Sequence, residues 1–191
     1  MSSQDSEHPS EEAFEDLTCS SCVFALCDLD EVPVYLEYAS GTGVQGAVKR
    51  KFSGGPSNVV TSYQLNLWEI AFVWSWPMEG RNIDDHIRLE KILRYQYGCS
   101  GNLVNCVSLE APLLLDFQLP SIERVQLYPE MEIERRRKFR RRFIHGAFHF
   151  ARLTRFVLTQ GYADGLYPAC EVHFNRLTNH FERFRELFRE D

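Results

Sequence analysis

The stretch LNLWEIAFVWSW, residues 65–76, limits the fold more than any other part of the chain. Trp68, Ile70, Phe72, Trp74 and Trp76 alternate onto one side, and Leu67, Glu69, Ala71, Val73 and Ser75 onto the other. A helix repeats its apolar residues at three and four, so a period of two in bulky and β-branched residues predicts a half-buried strand. Pro77 ends it, because proline has no N–H to give to a ladder. The face with three tryptophans is read as core, with a binding surface as the other use of such a face.

The neighbouring segments predict a mixed, α+β fold. RNIDDHIRLEKILRYQY, residues 81–97, reads as a helix capped by Asn82, with Asp84 and Asp85 at the positive end of its dipole. Ile83, Ile87, Leu89, Ile92 and Leu93 would form its apolar face, and Gly98 stops it. Residues 19–40 have room for two short strands. LVNCVSL (103–109) and LLLDFQL (113–119) read as two more, and ERVQLY (123–128) as another. Strong helix formers surround residues 134–143, and GAFHFARLTRFVL (146–158) reads as a strand. At the end, Phe174, Leu177, Phe181, Phe184 and Phe188 recur at three and four, predicting a C-terminal amphipathic helix. With 44% hydrophobic residues in 191, the expectation is a single compact domain over residues 18–191. It would carry a disordered acidic tail at 1–17 and a flexible glycine-rich loop at 41–58.

Charge is divided unevenly. Residues 1–48 hold ten acidic side chains and no Lys or Arg, although the whole chain has net charge -6. Residues 135–191 hold thirteen basic and six acidic ones. Seven basic residues fall within eight positions: Arg135, Arg136, Arg137, Lys138, Arg140, Arg141 and Arg142. Like charges at that density repel, so they call for something negative: nucleic acid, an import receptor, or an acidic segment of this chain or of a partner. Phe139 and Phe143 beside them suit base stacking. The acidic N-terminal part is itself a candidate screen for the basic part.

The sequence holds none of the common catalytic motifs. The glycines of GTGVQG are not followed by Lys-Ser or Lys-Thr, and there is no G-x-S-x-G, H-E-x-x-H or EF-hand loop. Adjacent Asp84 and Asp85 point about 100° apart on a helix and do not form a carboxylate pair. The chain is therefore expected not to be an enzyme. Its longest apolar stretch, residues 70–78, falls far short of the roughly 20 residues of a membrane span, so no membrane partner is expected. The first residues lack the basic start and apolar middle of a secretion signal, which places the six cysteines in a reducing compartment.

Cys19-x2-Cys22 has the half-site spacing zinc prefers, and Cys170-x2-His173 is a second pair. One structural zinc on Cys19, Cys22, Cys170 and His173 is one expectation, and no cofactor, with buried thiols, is the other. SLEAPLLLDF (108–117), led by Ser108 and Leu109, and GLYPACEVHF (165–174), with Leu166 and Cys170, approach the pattern of short helices that plug into the elongin C groove of cullin ubiquitin ligases. The terminal stripe, Phe181 and Phe184 above all, is a further partner-binding candidate.

In pattern and order these segments resemble the adenoviral early-region-four thirty-four-kilodalton protein family. Residues 63–95 look like that family's apolar strand with Trp and Pro followed by a polar-capped helix. CSGNLVNC looks like its Cys-bounded segment, with Cys99 and Cys106 at the two cysteine positions. Residues 141–174 look like its Leu/Arg-rich stretch, Gly turn and Pro-Ala before a Phe. The resemblance spans about residues 60–175. It implies a viral early regulatory adaptor that binds host proteins and joins a cullin–elongin ubiquitin ligase to cellular targets, with a second viral early protein. It also implies access to both nucleus and cytoplasm of the host cell through an arginine-faced helix. A basic nucleic-acid-binding regulator is the alternative.

Overall fold

The structure, a computed structural model, describes residues 8–53, 59–106, 111–112, 117–160 and 166–187. Its centre is the uncharged strand β1 (Cys22–Cys27, CVFALC). All six of its residues are closed to solvent, and each large apolar side chain buried this way contributes about 1.5–3 kcal/mol. It pairs antiparallel with β2 (Pro33–Ala39) and with β3 (Phe72–Pro77), and β3 pairs antiparallel with β4 (Glu123–Gln126). The sheet order is β2-β1-β3-β4. With this sheet and the helices around it, the chain is an α+β domain.

The β1–β2 hairpin closes on Asp28. Its Oδ1 accepts from the backbone N–H groups of Asp30 and Val32, at 2.9 and 3.0 Å. This fixes an acidic turn at one end of the sheet. The outer edge of β2 is capped by side chains. Asn105 accepts from Leu36 N and donates to Leu36 O, and Arg94 donates to the same carbonyl. Such cover blunts a sheet edge that would otherwise template another chain.

Two helices pack on β1 and β2: α2 (Gly43–Ser53) and α4 (Ile83–Gly98). Asn82 caps α4 as expected, its side chain accepting from Asp85 N at 2.8 Å. Only Leu89, Ile92 and Leu93 of the expected apolar face are buried; Ile83 and Ile87 are exposed in the first turns. A second helical layer contains α3 (Val59–Gln64), α5 (Glu130–Arg137), α6 (Phe139–Gln160) and α7 (Tyr167–Leu187). Ring contacts pair Phe139 with His180, His149 with His173, and Phe150 with Phe174. As α6 advances α7 retreats, so the two are antiparallel.

Several expectations are corrected. The strand from residue 65 is shorter, Phe72–Pro77, and it is covered on both faces: Val73 and Ser75 are as buried as Phe72 and Trp76. Residues 146–158 are helical within α6, because His149 and Leu153, four apart, point inward. Of the strand expected at 103–109, Leu103 and Val104 are buried but irregular, and residues 107–109 lie outside the described residues. Residues 113–116 of the next expected strand lie outside them too.

Residues 43–53 of the expected loop form α2. Val44, Ala47, Val48, Lys51 and Phe52 face inward at helical spacing, a pattern its flanking glycines conceal. Gly43 is required at the start: its φ is +66°, and a Cβ there would lie 2.9 Å from the Cys19 carbonyl oxygen. The acidic N-terminal segment holds the short helix α1 (Glu11–Glu15), capped by Ser10 and anchored by buried Phe14, whose ring meets Phe52 edge-on at 5.9 Å.

Candidate functional site

The basic run lies across the junction of α5 and α6, and much of it faces inward. Arg136 is 1% exposed. Its guanidinium sits 3.9 Å from the centre of the Tyr128 ring and 5.5 Å from that of Trp68. It donates to the Trp68 carbonyl (2.8 Å) and to Glu132 (2.8 Å). Arg135 also donates to Glu132, at 2.7 Å, and the two guanidiniums hold that carboxyl below the usual range despite partial burial. Arg137 donates to the Leu29 carbonyl at 2.8 Å and to Glu134.

Arg142 and Arg176, from α6 and α7, converge on three acids of the sheet end. Arg142 binds Asp30 and lies 3.7 Å from Asp28 and 3.6 Å from Glu69. Arg176 lies 3.1 Å from Asp28 and 3.3 Å from Glu69. Burial opposes the charge on Arg142, but Glu69, Asp30 and Asp28 outweigh it and its proton is held more tightly than usual. Burial pushes the Glu69 carboxyl up even with two guanidiniums beside it. Breaking such a buried pair by removing one partner costs about 3–5 kcal/mol, because the other charge is stranded. The network pins the helical layer to the acidic hairpin.

The rest of the run differs. Lys138, Arg140 and Arg141 are exposed. On α6 they lead onto a face carrying Ile144, Phe148, Arg152, Arg155 and Leu158, of which Phe148 is 73% and Leu158 84% exposed. The α6 sequence has five arginines and no acidic residue. On α7, Tyr167, Phe174 and Phe181 recur every seven residues on the outside, with Phe174 55% and Phe181 49% exposed. The inner side of α7 carries Ala169, Val172, His173 and Arg176 instead. Phe174 and Phe181 of the expected stripe are thus not core-facing, because Ala169, Val172, His173 and Arg176 take the inward positions, while Leu177 is half-buried and Phe188 lies outside the described residues.

Beside Trp68 lies a cavity of about 300 Å³, lined by His8, Asn66, Leu67, Trp68, His145, Phe148, His149 and Arg152. His145 stacks on Trp68 at 4.0 Å. Arg152 is held by the Ser62 carbonyl (2.7 Å) and the Tyr63 ring. His149 meets His173 at 4.4 Å, and His173 Nε2 donates to the Gln64 carbonyl at 2.7 Å. Burial lowers both imidazoles, His149 to about 2 with His173 and Arg152 adding to the effect, His173 to about 4. Both rings are neutral near pH 7.

Of the expected zinc ligands, Cys19 and Cys22 lie beside each other, but the four are not gathered into one group. Cys19 Sγ donates to Glu79 at 3.1 Å, and Cys22 is closed within β1. Burial raises both thiols, Cys19 to about 11 with Glu79 adding to the effect, which disfavours the thiolate a metal needs. Cys170 is half-buried, and His173 is engaged with Gln64 and His149. Among the described residues no group of three or more His, Cys, Asp or Glu side chains is placed to hold a metal.

Of the partner-binding candidates, Leu166 is fully buried and serves the core, while Phe181 is accessible. Ser108, Leu109 and the side chain of Phe184 lie outside the described residues. Sequence reasoning missed the pairing of Asp28 and Glu69 with Arg142 and Arg176. One signal was present: Glu69 is an acid inside an apolar run. Among the described residues no helix is long and apolar enough to cross a membrane. Comparison with protein-family models, with curated proteins and with solved structures finds no match.

Proposed function

We propose that the chain is a protein–protein adaptor that docks partners on the outer face of α6 and α7, and not a catalyst. The observation that carries this reading is the pair of accessible apolar stripes, Ile144, Phe148 and Leu158 on one helix and Tyr167, Phe174 and Phe181 on the other. Aromatic side chains at helical spacing are the usual anchors of helix-in-groove docking. The resemblance described above supports a more specific form: a viral early adaptor recruiting a cullin–elongin ubiquitin ligase to host proteins, in the nucleus and cytoplasm. A nucleic-acid role draws less support, because Arg136 is buried and Arg137 and Arg142 are engaged with this chain's own acids.

The test is the double substitution Phe174→Asp and Phe181→Asp. Both side chains are about half accessible, so the protein stays folded by urea unfolding and circular dichroism. Affinity purification of the unmodified chain recovers elongin and cullin subunits, and the variant loses them. Recovery of nucleic acid alone, released by moderate salt as phosphate contacts are, contradicts the adaptor reading.

A further inference from the structure

We infer that the cavity between α6 and the turn at residues 66–68 is a binding site for a small planar aromatic anion. Four observations point there. Its volume, about 300 Å³, lies at the lower end of the range for small-molecule sites. Among the described residues no acidic side chain lines it, and Arg152 supplies a positive charge. That guanidinium is oriented beforehand by the Ser62 carbonyl and the Tyr63 ring, so little ordering is left for the ligand to impose. Leu67, the Trp68–His145 stack and the open ring of Phe148 supply apolar and aromatic wall, beside the polar side chains of His8 and Asn66.

His149 adds a finer requirement. It lines the cavity, is 6% exposed, and its Nε2 has no hydrogen-bond partner among the described residues. The ring is hydrogen-bonded to the Tyr63 backbone, and that bond favours its protonated side. A neutral ring that donates through Nδ1 offers only a lone pair at Nε2. The matching ligand therefore carries an N–H or O–H donor near its ring as well as the anionic group for Arg152. The site shares Phe148 with the α6 stripe, but Leu67, Trp68 and His149 are no part of that stripe and the α7 stripe is separate from it; the inference stands whether or not the adaptor reading does.

The probe is 8-anilinonaphthalene-1-sulfonate, a planar aromatic anion with one N–H. Its neutral counterpart is N-phenyl-1-naphthylamine, the same rings without the sulfonate. Fluorescence titration of the full chain is expected to give one sulfonate site per chain, with emission sensitised by Trp68 and reduced in Trp68→Phe. The neutral amine binds at least tenfold more weakly. Arg152→Gln weakens the sulfonate at least tenfold and leaves the amine unchanged, whereas Arg140→Gln, outside the cavity, changes neither. Equal affinity for the two probes in the unmodified chain overturns the proposal, and this comparison stands even if Arg152→Gln does not fold. Loss of the site on Phe174→Ser or Phe181→Ser also overturns it, because the dye is then on the α7 stripe.

Discussion

The sheet and the helical layer bury opposite chemistries. β1 closes Val23, Phe24 and Leu26 from solvent with no polar side chain among its six residues. α6 and α7 turn Arg142, His149, His173 and Arg176 inward and leave Phe148, Phe174 and Phe181 accessible. Apolar packing is non-directional and senses volume. Paired charges and hydrogen-bonded rings are directional and sense protonation and partner identity. One half of the domain is therefore held by shape, and the other is registered onto it by matched polar groups.

Acidification should separate the two halves most. His149 and His173 have lowered folded pKa values, about 2 and about 4, against an ordinary 6.5. Below pH 6.5 the unfolded chain binds protons that the folded rings refuse, so stability present above that pH falls as pH drops toward 4. Each ring contributes a slope of up to about 1.4 kcal/mol per pH unit in that window. Glu69, whose pKa is raised by burial, acts in the opposite sense but is a single group. The urea midpoint should drop steadily from pH 6.5 to 4, and His149→Phe should flatten the fall. An unchanged midpoint across that range contradicts neutral buried imidazoles.

Core truncation in the sheet comes next. Phe24→Ala should cost about 3–5 kcal/mol by urea unfolding, with the same loss at pH 7 and pH 5.5, because the cavity it leaves does not titrate. Arg136→Ala should cost about 3 kcal/mol, since it leaves the Trp68 carbonyl without its donor and strips the Tyr128 and Trp68 rings of their cation. A loss under 1 kcal/mol would make Arg136 a surface group in solution. The smallest effect belongs to the exposed part of the run: Lys138→Gln with Arg140→Gln should stay within about 0.5 kcal/mol.

The sequence made the sheet half more legible than the helical half. Strands around residues 22–27 and 33–39, and the Asn82-capped helix, follow from local chemistry: apolar runs, a cap, a proline stop. Within α6, FHFARLTRFV reads as a strand because its aromatic and β-branched content favours one. The helix wins because its inward side is His149 and Leu153 and its partners are α7 and α3, none of which hydropathy encodes. The basic run posed the right question, since an acidic segment of the same chain was among the possible answers. Which acids answer it depends on a hairpin turn, an irregular segment before β3 and two helices meeting at one end of the sheet. No local pattern specifies that meeting.

Arginines of the helical layer are matched to the acids of the sheet end. A double-mutant cycle on Asp28 and Arg176, read by urea unfolding at pH 7, tests it most directly. Asp28→Asn keeps the Oδ1 that accepts from Asp30 N and Val32 N and removes the charge that faces Arg176 at 3.1 Å and Arg142 at 3.7 Å. Arg176→Gln removes the other charge. The account predicts that the two losses fail to add by about 1–3 kcal/mol, the double variant being more stable than their sum requires. Additivity within about 0.3 kcal/mol would contradict it.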